Sequence, residues 1–195
     1  MRLTLISLTL AATLTACGGS GLDVSGRGDP ARLLYAEVGT EITLQNTING
    51  TTSQTEITAL RPAGAQGRFR AADGVEGSFY PGCWDCGAPN VVDDAIYASL
   101  WPLETGKQVS LLRTAPDGQK ARVVIRVAGI QDVETPVGTL ETYLLDGRIE
   151  HLTGPRYSAQ VRAWWAPGPG WVVKAEGGDS KGATLSSQMI GYKRP

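Results

Sequence analysis

Two cysteines three positions apart, in Cys83-Trp84-Asp85-Cys86, have the spacing in this sequence best suited to covalent chemistry. A dithiol so spaced can exchange electrons when a helix N-terminus or a neighbouring cation stabilises one thiolate. Here Asp85 stands between the sulfurs and opposes ionisation, and no Lys, Arg or His lies within ten residues of either cysteine. Pro89 also removes a backbone N–H that a helix starting at Cys83 would need. As metal ligands the pair falls short: zinc takes four ligands, or three plus water, and His151 is the sole histidine. The pattern favours a structural disulfide, worth about 2 kcal/mol for so short a loop. A thiol–disulfide oxidoreductase using Cys83 and Cys86 is the alternative.

Other chemistry-bearing residues are weaker candidates. Gly178-Asp179-Ser180-Lys181-Gly182 matches a G-x-S-x-G nucleophile elbow in letters. That elbow needs a helix after the serine and a histidine later in the chain. His151 precedes it, and Ala183–Tyr192 alternates like a strand, so a hairpin turn is expected. Asp93, Asp94, Glu134 and Glu141 form no pair whose spacing places two carboxylates face to face. Trp164 alternates with Arg162 on the face opposite Trp165, which makes it the candidate exposed aromatic for stacking on a sugar or an acyl chain. No catalytic residue, metal or cofactor is expected.

The elements that would hold these residues are mostly strands. Asn49-Gly50 between Glu41–Ile48 and Thr51–Leu60 is a strong hairpin signal, because a type I′ turn needs positive φ at both central residues. Asp73-Gly74 predicts a second hairpin, Pro116-Asp117-Gly118 a third, and Asp146-Gly147 a fourth between Thr139–Leu145 and Arg148–Leu152. Arg156–Trp165 alternates, Pro167–Gly170 forces a turn, and Trp171–Glu176 follows. Trp165 and Trp171 are expected in the core, with their indoles meeting across that hairpin. One helix is predicted, capped by Asn90 with Asp93 and Asp94 in its first turn and Val92, Ile96 and Leu100 on one face. The fold class is therefore all-β (minor α): an antiparallel barrel, half-barrel or sandwich with one short helix.

The N-terminus has a different character. Residues 1–16 carry Arg2 and then an apolar run too short to span a bilayer, which reads as a signal peptide. Leu14-Thr15-Ala16-Cys17 resembles the bacterial lipobox. The resemblance implies cleavage before Cys17 and acylation of that residue, and two or three acyl chains make a stable anchor. Residues 17–30 then read as the lipidated cysteine and a Gly/Ser-rich tether, and residues 31–195 as one β domain. An exported chain sits where disulfides persist, which reinforces the Cys83–Cys86 pairing. Removing Arg2 with the signal shifts the formal charge from −1 to −2, with no basic stripe for nucleic acid.

Three segments of the second half, "WPLETGKQV", "VETPVGTLETY" and "WWAPGPGWVVKAE", resemble a family of exported bacterial β-domains of unknown function. The similarity covers Trp101–Glu176; Leu140 stands where the family has Phe, and Trp165 where it has Tyr. It implies a mostly β fold and no assigned activity. The expectation is a non-enzymatic, lipid-anchored envelope protein, with Gly18 after the lipidated cysteine favouring an outer-membrane anchor facing the periplasm. Its role would be binding or structural, towards a hydrophobic or glycan ligand or an envelope-protein partner.

Overall fold

The computed structural model describes residues 32–195, so the lipobox, Cys17 and the tether lie outside the described residues. The strands are β1 (Glu41–Ile48), β2 (Thr51–Ala63), β3 (Gln66–Ala71), β4 (Glu76–Phe79), β5 (Gln108–Thr114), β6 (Lys120–Thr135), β7 (Gly138–His151), β8 (Ser158–Ala166), β9 (Trp171–Asp179) and β10 (Thr184–Lys193). They form one antiparallel sheet in the order β4-β3-β2-β1-β10-β9-β8-β7-β6-β5. Its two edges do not pair, so the closed barrel is excluded among the three expected forms.

The sheet is rolled. Strands β4 and β9 stand five positions apart, about 24 Å in a flat sheet at ~4.8 Å per strand. Yet the rings of Phe79 and Trp171 lie 4.4 Å apart, and those of Phe69 and Trp171 6.5 Å. The sheet therefore curls into a half-barrel with one concave face. Between β4 and β5 the chain crosses that face with the helix α1 (Asp94–Ala98). Tyr80, Tyr97, Leu100 and Leu103 pack there against Val123, Ile125, Val127 and Leu145, filling the β5–β8 side. A second cluster, with Val133, Leu140, Trp164, Val173 and Met189, forms where the long β6–β7 hairpin meets β8–β10.

Local signals explain most of the turns. Asn49 and Gly50 adopt φ of 50° and 80°, as the expected hairpin requires. The Asp73-Gly74 and Asp117-Gly118 turns also form where expected. Asp146-Gly147 does not turn: β7 runs straight through it, and its turn lies earlier, at Pro136-Val137. The register instead sets Asp146 between Arg126 and Arg162 on the neighbouring strands. Gly147 faces the crossing loop, where a Cβ would overlap the Gly82 carbonyl oxygen. A close backbone approach, not positive φ, accounts for this glycine.

The helix is shorter than expected and differently capped. Asp93, not Asn90, is the N-cap, accepting from the backbone N–H groups of Ala95 at 2.9 Å and Ile96 at 3.1 Å. Tyr97 is its buried residue, Leu100 just beyond its C-cap is buried too, and Ile96 is exposed. Asn90 instead donates from Nδ2 to the Asp85 carboxylate at 3.0 Å.

Candidate functional site

On the β1–β3 and β8–β10 side, the crossing loop leaves a groove of about 340 Å³ between itself and the concave face. Period two places Leu44, Ile57 and Phe69 on one wall and Val161, Ala163 and Ala175 on the other. Phe69, Phe79 and Trp171 close one end. At the other end Asn46, Thr55 and Ser187 form a polar group: Asn46 donates to Thr55 Oγ1 at 3.1 Å, and Ser187 donates to Asn46 Oδ1 at 2.7 Å. The groove leaves Leu44, Phe69, Phe79, Trp84, Val172 and Leu185 only half-buried.

The loop over the groove carries the two cysteines. Cys83 and Cys86 are joined as a disulfide, with Cα atoms 5.6 Å apart. Both are buried, at 7% and 1% exposure, whereas thiol exchange needs a sulfur that a partner thiolate can reach. Gly82, Cys83 and Trp84 line the groove directly. The loop lies flat because β7 and β9 offer it two glycines. Gly147 and Gly177 both stand opposite Val161, and a Cβ at Gly177 would come within 2.6 Å of the Trp84 ring.

A cation absent from the local sequence does reach this loop. Arg113 of β5, 4% exposed, donates from Nη1 to the Asp85 carboxylate at 2.8 Å and to Asn90 Oδ1 at 3.1 Å. Its Nη2 lies 3.1 Å from His151 Nε2, and the His151 ring packs at a tilt against Tyr157. The guanidinium thus holds the loop to the sheet through Asp85. Burying that charge is tolerable because it is paired and hydrogen-bonded.

The remaining candidates have structural places. Ser180 sits in the β9–β10 turn, where its Oγ accepts from the Ser158 N–H at 3.1 Å; strand β10, not a helix, follows. Asp93 caps α1, and Asp94 accepts from the Tyr80 hydroxyl. Desolvation by burial, followed by that hydrogen bond to the carboxylate, pushes the Tyr80 hydroxyl well above its ordinary range. Among the described residues no group of three or more His, Cys, Asp or Glu could hold a metal ion.

Trp164 is the main correction. It is 5% exposed rather than open to solvent. The β6–β7 hairpin bends over its face, bringing Val133 and Leu140 into the same cluster, and Gln188 of β10 donates to the Glu134 carbonyl at 3.3 Å. Lys174 Nζ then lies 4.8 Å from the centre of its ring and Arg162 5.6 Å, so cations cover what remains. Trp165 and Trp171 are buried as expected but do not pair with each other. A bulge at Trp164/Trp165 sets Val172 opposite Trp165, and Trp171 opposite Ala166. Trp165 packs edge-on against Tyr35 at 5.5 Å instead.

The cysteine loop is legible in the sequence; the groove beside it is not. The strand pattern of Thr55–Ala59 and Ala183–Tyr192 marks an inward face, yet nothing local says that this face stays half covered.

No family model and no curated protein matches the chain. The chain is similar to several solved structures, three from bacteria among them. The hypothetical lipoprotein YmcC from Escherichia coli (K12) aligns with a TM-score of 0.49 and 12% identity, over 83% of this chain and 90% of its own. A protein from Bacteroides fragilis, described as exported and with a YmcC-like fold, gives 0.48 and 14%, over 83% and 98%. A predicted lipoprotein from Parabacteroides distasonis gives 0.48 and 10%, over 83% and 98%.

Proposed function

We propose that the chain is a non-enzymatic protein of the bacterial cell envelope, held to the outer membrane by acylated Cys17, whose half-barrel carries a small hydrophobic ligand. The groove under Trp84 is the observation that carries this reading. A volume of about 340 Å³ falls within the range of small-molecule sites. A protein serving only as a scaffold gains nothing from half-buried Phe69, Phe79 and Trp84, since filling the gap would add burial at ~25 cal/mol per Å².

The buried sulfurs weigh against thiol exchange, and the lipobox residues support export and anchoring. Two measurements test the proposal. An apolar fluorescent dye should bind the mature chain, and Ala175→Trp, which fills the groove from β9, should abolish that binding without loss of the folded far-UV spectrum. Dye binding equal in the two proteins would refute the groove as the ligand site. Intact-mass analysis of membrane-extracted protein should find acyl chains on Cys17. A soluble periplasmic chain with an unmodified Cys17 would refute the anchor.

A further inference from the structure

We infer that the groove selects an amphiphile with one short apolar chain and a neutral, hydroxyl-bearing head, and discriminates against anionic heads such as carboxylates. The inference rests on the groove reading proposed above and adds the chemistry of the ligand's polar end.

The lining is apolar along its length and polar at one end only. Among the described residues none of the side chains lining it is charged. An anionic head would therefore lose water without meeting a cation, which is costly. The nearby basic groups are committed elsewhere. Arg113 is bound to Asp85, Asn90 and His151. Lys174 and Arg162 pair with Glu176 at 2.9 Å and 2.7 Å, on the opposite face of the sheet. Past Gly177 on the concave face of β9 the next residue is Asp179. Its carboxyl is turned into the β9–β10 turn, where the Ala183 and Lys181 backbone N–H groups donate to it and hold it below the ordinary range, so this position brings no cation to the groove.

The polar end has the hydrogen-bonding capacity a hydroxyl needs. Asn46 uses one Nδ2 proton on Thr55 and keeps the second. Thr55 Oγ1 accepts that bond and keeps its own proton to donate. Ser187 donates to Asn46 and keeps its lone pairs. Two donors and an acceptor at one edge match a group that both accepts and donates, as sugar and glycerol hydroxyls do. A carboxylate, which only accepts, leaves the Ser187 oxygen unused.

The test uses the whole mature chain with Cys17→Ser, which carries no acyl group, and the displacement of a bound apolar dye. The competitors are an alkyl glycoside and a fatty acid of equal chain length, each below its micelle concentration. The glycoside should displace the dye at about tenfold lower concentration. Thr55→Lys, which puts a cation at the polar end, should reverse the order, and the far-UV spectrum and urea midpoint report whether that variant is folded. Dye binding with the fatty acid equal or better overturns the inference and leaves the groove reading standing. Absence of dye binding to the folded chain overturns the groove reading itself.

Discussion

Gly129 and Gly147 both lie in mid-strand, in β6 and β7, and replacing each by alanine should move stability in opposite directions. Propensity alone favours alanine at both sites by about 0.5–1 kcal/mol, because glycine loses more backbone freedom on folding. At Gly129 a Cβ meets nothing within 4 Å, so that gain should be realised. At Gly147 the Cβ would overlap the Gly82 carbonyl oxygen and stand 2.9 Å from both the Gly82 carbonyl carbon and Val161 Cγ1. The main obstacle is backbone in a loop stapled by Cys83–Cys86 and held by Arg113, so it cannot swing away like a flexible side chain. Overpacking of this kind costs about 1–3 kcal/mol, which after the propensity gain leaves a net loss of ~1–2 kcal/mol. With a urea slope of ~2 kcal/mol per molar, the midpoint should fall by ~0.5–1 M for Gly147→Ala and rise by ~0.3 M for Gly129→Ala. Displacing the loop should also lift Trp84 off Gly177 and red-shift tryptophan emission in the native baseline. A Gly147→Ala variant as stable as Gly129→Ala, with unchanged emission, would refute the docking of the loop on β7.

Trp164→Ala and Trp165→Ala should each cost about 3–5 kcal/mol in urea melts, since both side chains are buried; a Trp164 variant within ~0.5 kcal/mol of the parent would restore the exposed-aromatic reading. Alkaline titration should unfold the protein through Tyr97, Tyr80 and Tyr35, whose hydroxyls burial pushes above the ordinary value of 10.0. The sign follows from folded values that exceed the unfolded one: the stabilisation is whole below pH 10.0 and is lost as pH rises beyond it, so the tyrosinate absorbance of these three residues should appear together with loss of far-UV signal rather than before it. Alkylation should label Cys83 and Cys86 only after reduction, and reduction should lower stability by about 2 kcal/mol; rapid turnover of a disulfide substrate, lost in Cys83→Ser, would establish the redox alternative.

Turns whose requirement is local were legible in the sequence. Asn49-Gly50 reads as a turn because its positive φ values are a property of those two residues, and the half-buried strands read from period two. The cysteine loop is likewise a contiguous pattern and is legible as one, whereas the lipobox residues lie outside the described residues. Asp146-Gly147 reads as a turn in the sequence, yet the reason for its glycine lies 65 positions upstream, in the carbonyl of Gly82. Trp164 reads as exposed because alternation assigns a face but cannot say that the β6–β7 hairpin bends over that face. The groove has the same cause. Phe69, Phe79 and Trp171 meet only because the sheet rolls, and Arg113 reaches Asp85 only because β5 borders the loop in space. Contacts between residues far apart in the chain depend on sheet curvature and register, and those are set by the packing of all ten strands together.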